Sequence, residues 1–192
     1  MHTSLIRPNR LYQLLNNKAQ YLINGAIIDI DNTLTNDVKR AKYRETQNWS
    51  TYQKLCLTDT VNKKIIESII DCGYDFIWLS SGREFDYLLP TLERMPSQFK
   101  NIVIGAGMRT TGDFKSNLII KENSIDVFKS LINRYTDETI GHKILLDIWD
   151  DNEAVLKQST HMSIDETFKG TAIELNYKYL VVNNHDFLVY HD

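Results

Sequence analysis

The chain has 192 residues and a formal net charge of −3, with 42% hydrophobic and 24% charged residues. This composition excludes a largely disordered chain and argues against wholesale wrapping of nucleic acid, but it is compatible with a local basic site. Two cysteines, Cys56 and Cys72, match no disulfide framework or metal spacing, which favours a reducing compartment. No 18-residue apolar run or leader pattern is present, so we expect one cytoplasmic domain over residues 1–192 without a membrane span.

Apolar runs alternate with helical patterns along the chain. The predicted elements, in order, are a helix over 8–22, a strand over 26–30, a helix over 60–72 that Gly73 stops, a strand over 76–79, a helix over 84–95 with Pro90 as a candidate kink, a strand over 101–104, a helix within 118–135, a strand over 144–148, a helix starting within 152–158, and one or two strands over 172–182. This alternation is typical of a parallel sheet with helices on both faces. Ligands bind such sheets beyond the carboxyl ends of the strands, so the polar residues after each strand are the candidates for a site.

Two carboxylates, Asp29 and Asp31, end the first buried strand. Residues two apart leave a strand on the same side, and two carboxylates in a half-buried cleft repel unless a cation lies between them. Mg²⁺ resolves this conflict because it prefers oxygen ligands. The plainer interpretation is a turn cap beside a solvated strand end, and for an isolated pair it is the favoured one.

The second strand is followed by Ser81, Gly82 and Arg83, where a helix begins. A hydroxyl and backbone N–H groups at that position suit phosphate oxygens, and arginine binds phosphate bidentately. The alternative is a plain helix cap beside a solvated arginine.

Two further candidates follow later strands. Lys121 lies near the start of a predicted helix, where the helix dipole disfavours a cation unless an anion is nearby. Asp150 and Asp151 end another strand in adjacent acids. A surface lysine and a helix cap are the respective alternatives.

A parallel sheet brings these four groups to one edge, where they form a constellation suited to phosphoryl transfer. The pattern resembles the haloacid dehalogenase superfamily of phosphohydrolases over roughly residues 26–155. Asp29 to Thr33 resembles its first motif, Ser81 its second, Lys121 its third, and Asp150 with Asp151 its fourth. The resemblance implies a three-layer α/β/α Rossmann-like fold with a mainly parallel sheet. The segment 34–60 is too short for a separate cap domain, so we expect a small cap-like insert there.

The resemblance narrows to the phosphatase domain of phage polynucleotide kinase-phosphatases, through Arg40, Trp49, Tyr52, the run 81–84 and the segment 109–121. Three positions depart from the pattern: Asn32 stands where glycine is common, Asn117 where that family has an acid, and Asn152 where it has an arginine. Asparagine also adopts left-handed backbone, so Asn32 fits the turn. No P-loop sequence GxxxxGK[ST] is present in these residues, so we expect no kinase half among them.

What the resemblance implies can be stated residue by residue. Asp29 attacks phosphorus, Asp31 acts as general acid and base, and Lys121 completes the catalytic set. Mg²⁺ is held by Asp29, Asp31 through its carbonyl oxygen, and Asp150 or Asp151. The residues that bind the substrate phosphate are Thr33, Arg40, Ser81, Gly82 and Arg83.

The implied substrate is a phosphorylated nucleic-acid 3′ end or a nucleotide. In the insert, basic residues alternate with Tyr43, Trp49 and Tyr52. Basic side chains bind phosphates and aromatic rings stack on bases, so this mixture suits a nucleotide or a nucleic-acid end. The alternative is a solvated helix face with its aromatic residues packed on the sheet. A 5′- or 3′-deoxyribonucleotidase and a non-catalytic binding module of the same fold are the rival functions. The oligomeric state is left open.

Overall fold

The structure is a computed structural model that describes residues 3–17, 19–108, 124–126, 129–134, 142–159, 166–168, 171–183 and 186–190. Its strands are β1 (Thr3–Leu5), β2 (Leu22–Asp29), β3 (Thr35–Asn36), β4 (Thr60–Val61), β5 (Phe76–Ser81), β6 (Val103–Met108), β7 (Lys143–Asp150), β8 (Glu166–Phe168), β9 (Thr171–Val182) and β10 (Asp186–Tyr190). The main sheet has the order β1-β6-β5-β2-β7-β9-β10, with β8 beside β9, while β3 and β4 pair separately.

The main sheet is mostly parallel. Strands β6, β5, β2, β7 and β9 run in one direction, and β1, β8 and β10 pair antiparallel to their neighbours. From β2 the chain builds outward through β5 and β6, then returns to place β7 on the other side of β2. The predicted α/β class with a mainly parallel sheet is therefore confirmed, and the reversal of strand order lies between β2 and β7.

Helices cover both faces of the sheet. They are α1 (Pro8–Leu15), α2 (Ala41–Glu45), α3 (Trp49–Lys54), a 3₁₀ helix (Leu55–Thr58), α4 (Lys63–Asp71), α5 (Phe85–Glu93), α6 (Ser97–Ile102) and α7 (Glu153–Ser159), with further helical residues at 124–126 and 129–134. Residues of α4, α5 and α6 pack in one hydrophobic cluster, and residues of α1, α7 and the 124–134 region pack in the other. Along β2, Ile28 belongs to the first cluster and Ile27 to the second, as the two-residue period of a strand requires.

Local signals account for the ends of α4. Asn62 caps its first turn, since the Asn62 side chain accepts a hydrogen bond from the N–H of Ile65. Gly73 follows the helix with a φ of +69°, the left-handed backbone that ends helices and favours glycine. The predicted stop at Gly73 is confirmed. No helix in the described part of the chain is long and apolar enough to cross a membrane.

Three predicted boundaries are wrong. The helix predicted over 60–72 begins only at Lys63, because Thr60 and Val61 form β4 and pair with β3. The first helix ends at Leu15, and Leu22, predicted to be helical, begins β2 and pairs with Lys143. The strand predicted over 101–104 begins only at Val103, because the two preceding residues complete α6. The predicted strand segment over 172–182 is a single strand within β9, and the predicted helix within 118–135 lies partly outside the described residues.

Candidate functional site

The carboxyl ends of β2 and β7 lie side by side at the centre of the sheet. Ile28 pairs with Trp149, and Asp29 and Asp150 follow as the last residues of their strands. The order of the strands reverses between these two, the position at which open parallel sheets bind ligands. The structure therefore brings Asp29 and Asp150 to the edge where the sequence predicts a site.

Asp29 and Asp150 also share one face of the sheet. Each lies two residues beyond a member of the same hydrophobic cluster, Ile27 and Ile148 respectively. Asp29 is partly buried and Asp150 is buried, with one carboxylate oxygen accepting the N–H of Asn152 at 2.9 Å. Asp151 is exposed. Of the predicted acid pair, Asp150 is thus the residue placed beside Asp29.

Asp31 lies beyond the end of β2 and is bound by two arginines. Its Oδ1 accepts hydrogen bonds from Arg83 Nη2 at 2.6 Å, from Arg83 Nε at 3.2 Å, and from Arg40 Nη2. The side chain of Asp31 is 27% exposed, whereas those of Arg40 and Arg83 are 1% and 2% exposed. The two arginines that were predicted to bind phosphate therefore both bind the same oxygen atom of the Asp31 carboxylate.

A buried carboxylate that the sequence analysis missed, Asp59, lies behind the arginines. Its side chain is 0% exposed and accepts hydrogen bonds from Arg40 Nε at 2.8 Å, Arg40 Nη2 at 2.7 Å and Arg83 Nη2 at 2.9 Å. Asp59 follows the 3₁₀ helix, far in sequence from Arg83. The only sequence signal for it is indirect: two arginines buried together require an acid.

The electrostatics of this cluster favour ionised groups. Burial acts to raise the pKa of Asp31, but the guanidinium groups of Arg83 and Arg40 outweigh it and hold that pKa below its ordinary value. Burial acts to lower the pKa of Arg40, and the carboxylates of Asp59 and Asp31 more than compensate. Asp31 is therefore a carboxylate at neutral pH while both arginines bind it.

The second motif forms a tight turn. Ser81 is buried at the end of β5, and its hydroxyl oxygen accepts the N–H of Arg83 at 3.0 Å. The carbonyl oxygen of Gly82 accepts a hydrogen bond from Gln53 at 3.4 Å, which links this turn to α3. Ser80 pairs with Asp29 across the ladder, and its buried hydroxyl has no hydrogen-bond partner among the described residues.

The remaining predicted positions have different outcomes. Asn32 has a φ of +65°, the left-handed backbone expected for it, and its side chain accepts the N–H of Asp37 at 3.2 Å. Thr33 is buried, and within the described part of the chain its hydroxyl has no hydrogen-bond partner. Lys121 and Asn117 lie outside the described residues.

The predicted metal ligands are Asp29, the carbonyl oxygen of Asp31, and Asp150 or Asp151. Asp29 and Asp150 end adjacent strands and Asp151 is exposed, while the arginines bind the Asp31 carboxylate and not its carbonyl oxygen. Among the described residues, no group of three or more histidine, cysteine, aspartate or glutamate side chains is arranged to hold a metal ion. A three-carboxylate metal site is therefore not found in that part of the chain.

The fold and the site define an α/β protein with carboxylates and two buried arginines at the carboxyl edge of a mostly parallel sheet. Comparison with known proteins adds no family to this description: no family model matches the chain, and neither the curated proteins nor the solved structures give a significant match.

Proposed function

We propose that the protein is a Mg²⁺-dependent phosphomonoesterase of the haloacid dehalogenase type that acts through an aspartyl-phosphate on Asp29. The observation that carries this proposal is the convergence of Arg40 and Arg83 on the Asp31 carboxylate, two residues beyond Asp29. Two buried guanidinium groups that meet an anion at a partly exposed point are suited to bind a phosphate. In the proposed substrate complex, phosphate oxygens replace the Asp31 carboxylate on these arginines.

The donor chemistry of the site supports a divalent cation. Asp29 and Asp150 present carboxylate groups at the ends of adjacent strands. Carboxylates repel the phosphate of a substrate unless positive charge lies near both. Hard oxygen donors fit Mg²⁺, which we propose is held by Asp29, Asp150 and the backbone carbonyl of Asp31. When bound, this ion would reduce the repulsion between the nucleophile and the substrate phosphate.

The proposed reaction has two displacements. Once the arginines have moved to the substrate phosphate, Asp31 takes up a proton from solvent. Asp29 attacks phosphorus, the bond from phosphorus to the leaving oxygen breaks, and Asp31 gives that proton to the leaving oxygen. Asp31 then takes a proton from the water that attacks the aspartyl-phosphate, which releases inorganic phosphate and restores Asp29. Transfer of the arginines from Asp31 to the substrate would allow the pKa of Asp31 to rise, as its first role as an acid requires.

We further propose that the substrate is a nucleic-acid 3′-phosphate end. Only short helices lie between β3 and β4, so this insert forms no separate cap domain. The insert exposes the cationic side chains of Lys39, Lys42, Arg44 and Lys54, which favour a polyanion. The rival is a small-molecule nucleotidase, which the net charge of −3 favours. Because nucleophile and acid are both present, a non-catalytic binding module is the weaker alternative.

The test compares phosphate release from a 3′-phosphorylated oligonucleotide with release from nucleoside 5′-monophosphates, with and without Mg²⁺. The proposal predicts Mg²⁺-dependent release that is faster from the oligonucleotide, while the same oligonucleotide phosphorylated only at its 5′ end serves as the matched control. Release from monophosphates alone would favour the nucleotidase. Failure with both classes and with a generic aryl phosphate would support the binding module.

A further inference from the structure

Tyr52 packs directly against Arg40. Tyr52 belongs to α3 and is only 7% exposed. The guanidinium carbon of Arg40 lies 3.9 Å from the centroid of the Tyr52 ring, and Arg40 Nη1 donates to the Tyr52 carbonyl oxygen at 3.3 Å. A cation above an aromatic face is attracted by the ring quadrupole. One face of the guanidinium is therefore covered by a tyrosine from the insert.

The Tyr52 ring is itself held by Asp37. The Tyr52 hydroxyl donates to Asp37 Oδ2 at 2.6 Å, and Asp37 is 2% exposed. Arg44 Nη1 lies 3.1 Å from the same carboxylate oxygen. The Asp37 carbonyl oxygen accepts the N–H of Arg40 at 2.8 Å, so Asp37 contacts both the ring and the backbone of the arginine that the ring supports.

The contacts of Arg40 divide into two kinds. Asp59 binds the edge of the guanidinium through Nε and Nη2, which fixes the in-plane position of the group. The bond from Nη1 to the Tyr52 carbonyl oxygen, at 3.3 Å, is a further contact at the edge of the group. The Tyr52 ring instead lies against one face of the guanidinium and opposes tilting of the plane toward that side.

We propose that Tyr52 is a positioning residue that acts through Arg40, setting the plane of the guanidinium so that Nη2 is aimed at the anion bound beside Asp31. This inference rests on the proposed function, since the anion is the substrate phosphate. It also gives Tyr52 a role other than base stacking, because the ring is buried under Arg40.

The experiment is a double-mutant cycle in the full chain, with wild type, Tyr52→Leu, Arg40→Lys and the double variant assayed for Mg²⁺-dependent phosphate release. We expect Tyr52→Leu to lower kcat/KM about tenfold in the wild-type background and to have little further effect when Arg40 is lysine. Equal loss in both backgrounds would overturn the inference, because a residue that only stabilises the fold does not depend on Arg40.

If Tyr52→Leu fails to fold, the variant Tyr52→Phe still tests the role of the tyrosine. It retains the ring over Arg40 and removes only the hydroxyl, so its loss of kcat/KM should be smaller than that of Tyr52→Leu. Tyr74→Phe is the matched control, because Tyr74 is likewise buried and donates its hydroxyl to a buried carboxylate, that of Asp147. That control should lose thermal stability and keep wild-type kcat and KM. A kinetic loss equal to that of Tyr52→Phe would count against a specific role for Tyr52.

The failure of the proposed function can be told apart from the failure of this inference. If the wild-type protein releases phosphate from no ester, the proposed function fails, and the cycle is then measured on the binding of inorganic phosphate by calorimetry. Coupled losses of phosphate affinity at Tyr52 and Arg40 would still support the inference. Additive losses, or no phosphate binding by wild type, would overturn it.

Discussion

Asp59 accepts hydrogen bonds from Arg40 Nε at 2.8 Å and from Arg40 Nη2 at 2.7 Å, with neither side chain more than 1% exposed. The same carboxylate binds Arg83 at 2.9 Å. A single buried acid thus contacts both arginines, through the same Nη2 atoms that donate to Asp31. Removing one partner of a buried ion pair is costly because it leaves a charge both desolvated and unpaired.

Asp59→Asn should therefore destabilise the fold by about 3–5 kcal/mol and reduce phosphate release. The asparagine keeps the shape but removes the charge opposite Arg40 and Arg83. Urea unfolding of the variant gives the loss, and the exposed Asp71→Asn serves as a control that should stay near wild type. An unfolding free energy for Asp59→Asn equal to that of the control would mean that the arginines do not depend on Asp59.

Stability should depend on pH through Asp31. Its folded pKa is lowered by Arg83 and Arg40, so its stabilising contribution is complete above the unfolded carboxyl pKa of about 3.9 and is lost as the pH falls through the lower folded value. The difference in unfolding free energy between wild type and Asp31→Asn isolates this group from other carboxylates. It should be constant above about pH 5 and shrink in more acidic solution. A difference that does not change with pH would contradict the lowered pKa.

Thr33→Val should reduce phosphate release without reducing the stability of the fold. The buried Thr33 hydroxyl has no hydrogen-bond partner within the described part of the chain, so replacing it with a methyl group should leave stability unchanged or raise it by up to about 1 kcal/mol. If the hydroxyl serves the substrate, phosphate release should fall in the same variant. Thermal melting and kinetics measured together provide the check, with the exposed Thr60→Val as control. A less stable but fully active variant would show that the hydroxyl is structural.

The central sheet could be predicted because its strands carry strong local signals. The run that contains Ile27 and Ile28 is apolar and β-branched, and both faces are buried. Leu22 continues the leucine spacing of the first helix, so the sequence predicts a helical residue. In the structure Leu22 belongs to β2, because it pairs with Lys143 of β7. The strand predicted over 101–104 stops short of Met108, where β6 ends. Glycines at 105 and 107 have no side chains, so the sequence there shows no strand pattern.

Residue pattern alone predicts the site only where its residues end or follow strands, whereas Arg40 was predicted through a family resemblance. Asp29 and Asp150 follow from strand order and register, but Asp59 and Asp37 act through contacts with residues distant in sequence, which no local spacing reveals. Tyr52 was ambiguous for a physical reason. An aromatic residue among basic ones has the same sequence pattern whether it stacks on a ligand or packs beneath an arginine, and burial alone separates the two.

The most direct test of the central claim is the Mg²⁺-dependent release of phosphate by Asp29→Asn. Asparagine has the shape of aspartate but lacks the nucleophilic carboxylate, so the variant should remain folded by circular dichroism. We predict at least about a 10³-fold loss of turnover on the best substrate of the wild-type protein. Phosphate release near the wild-type rate by the folded variant would contradict the assignment of Asp29 as nucleophile and, with it, the proposed reaction.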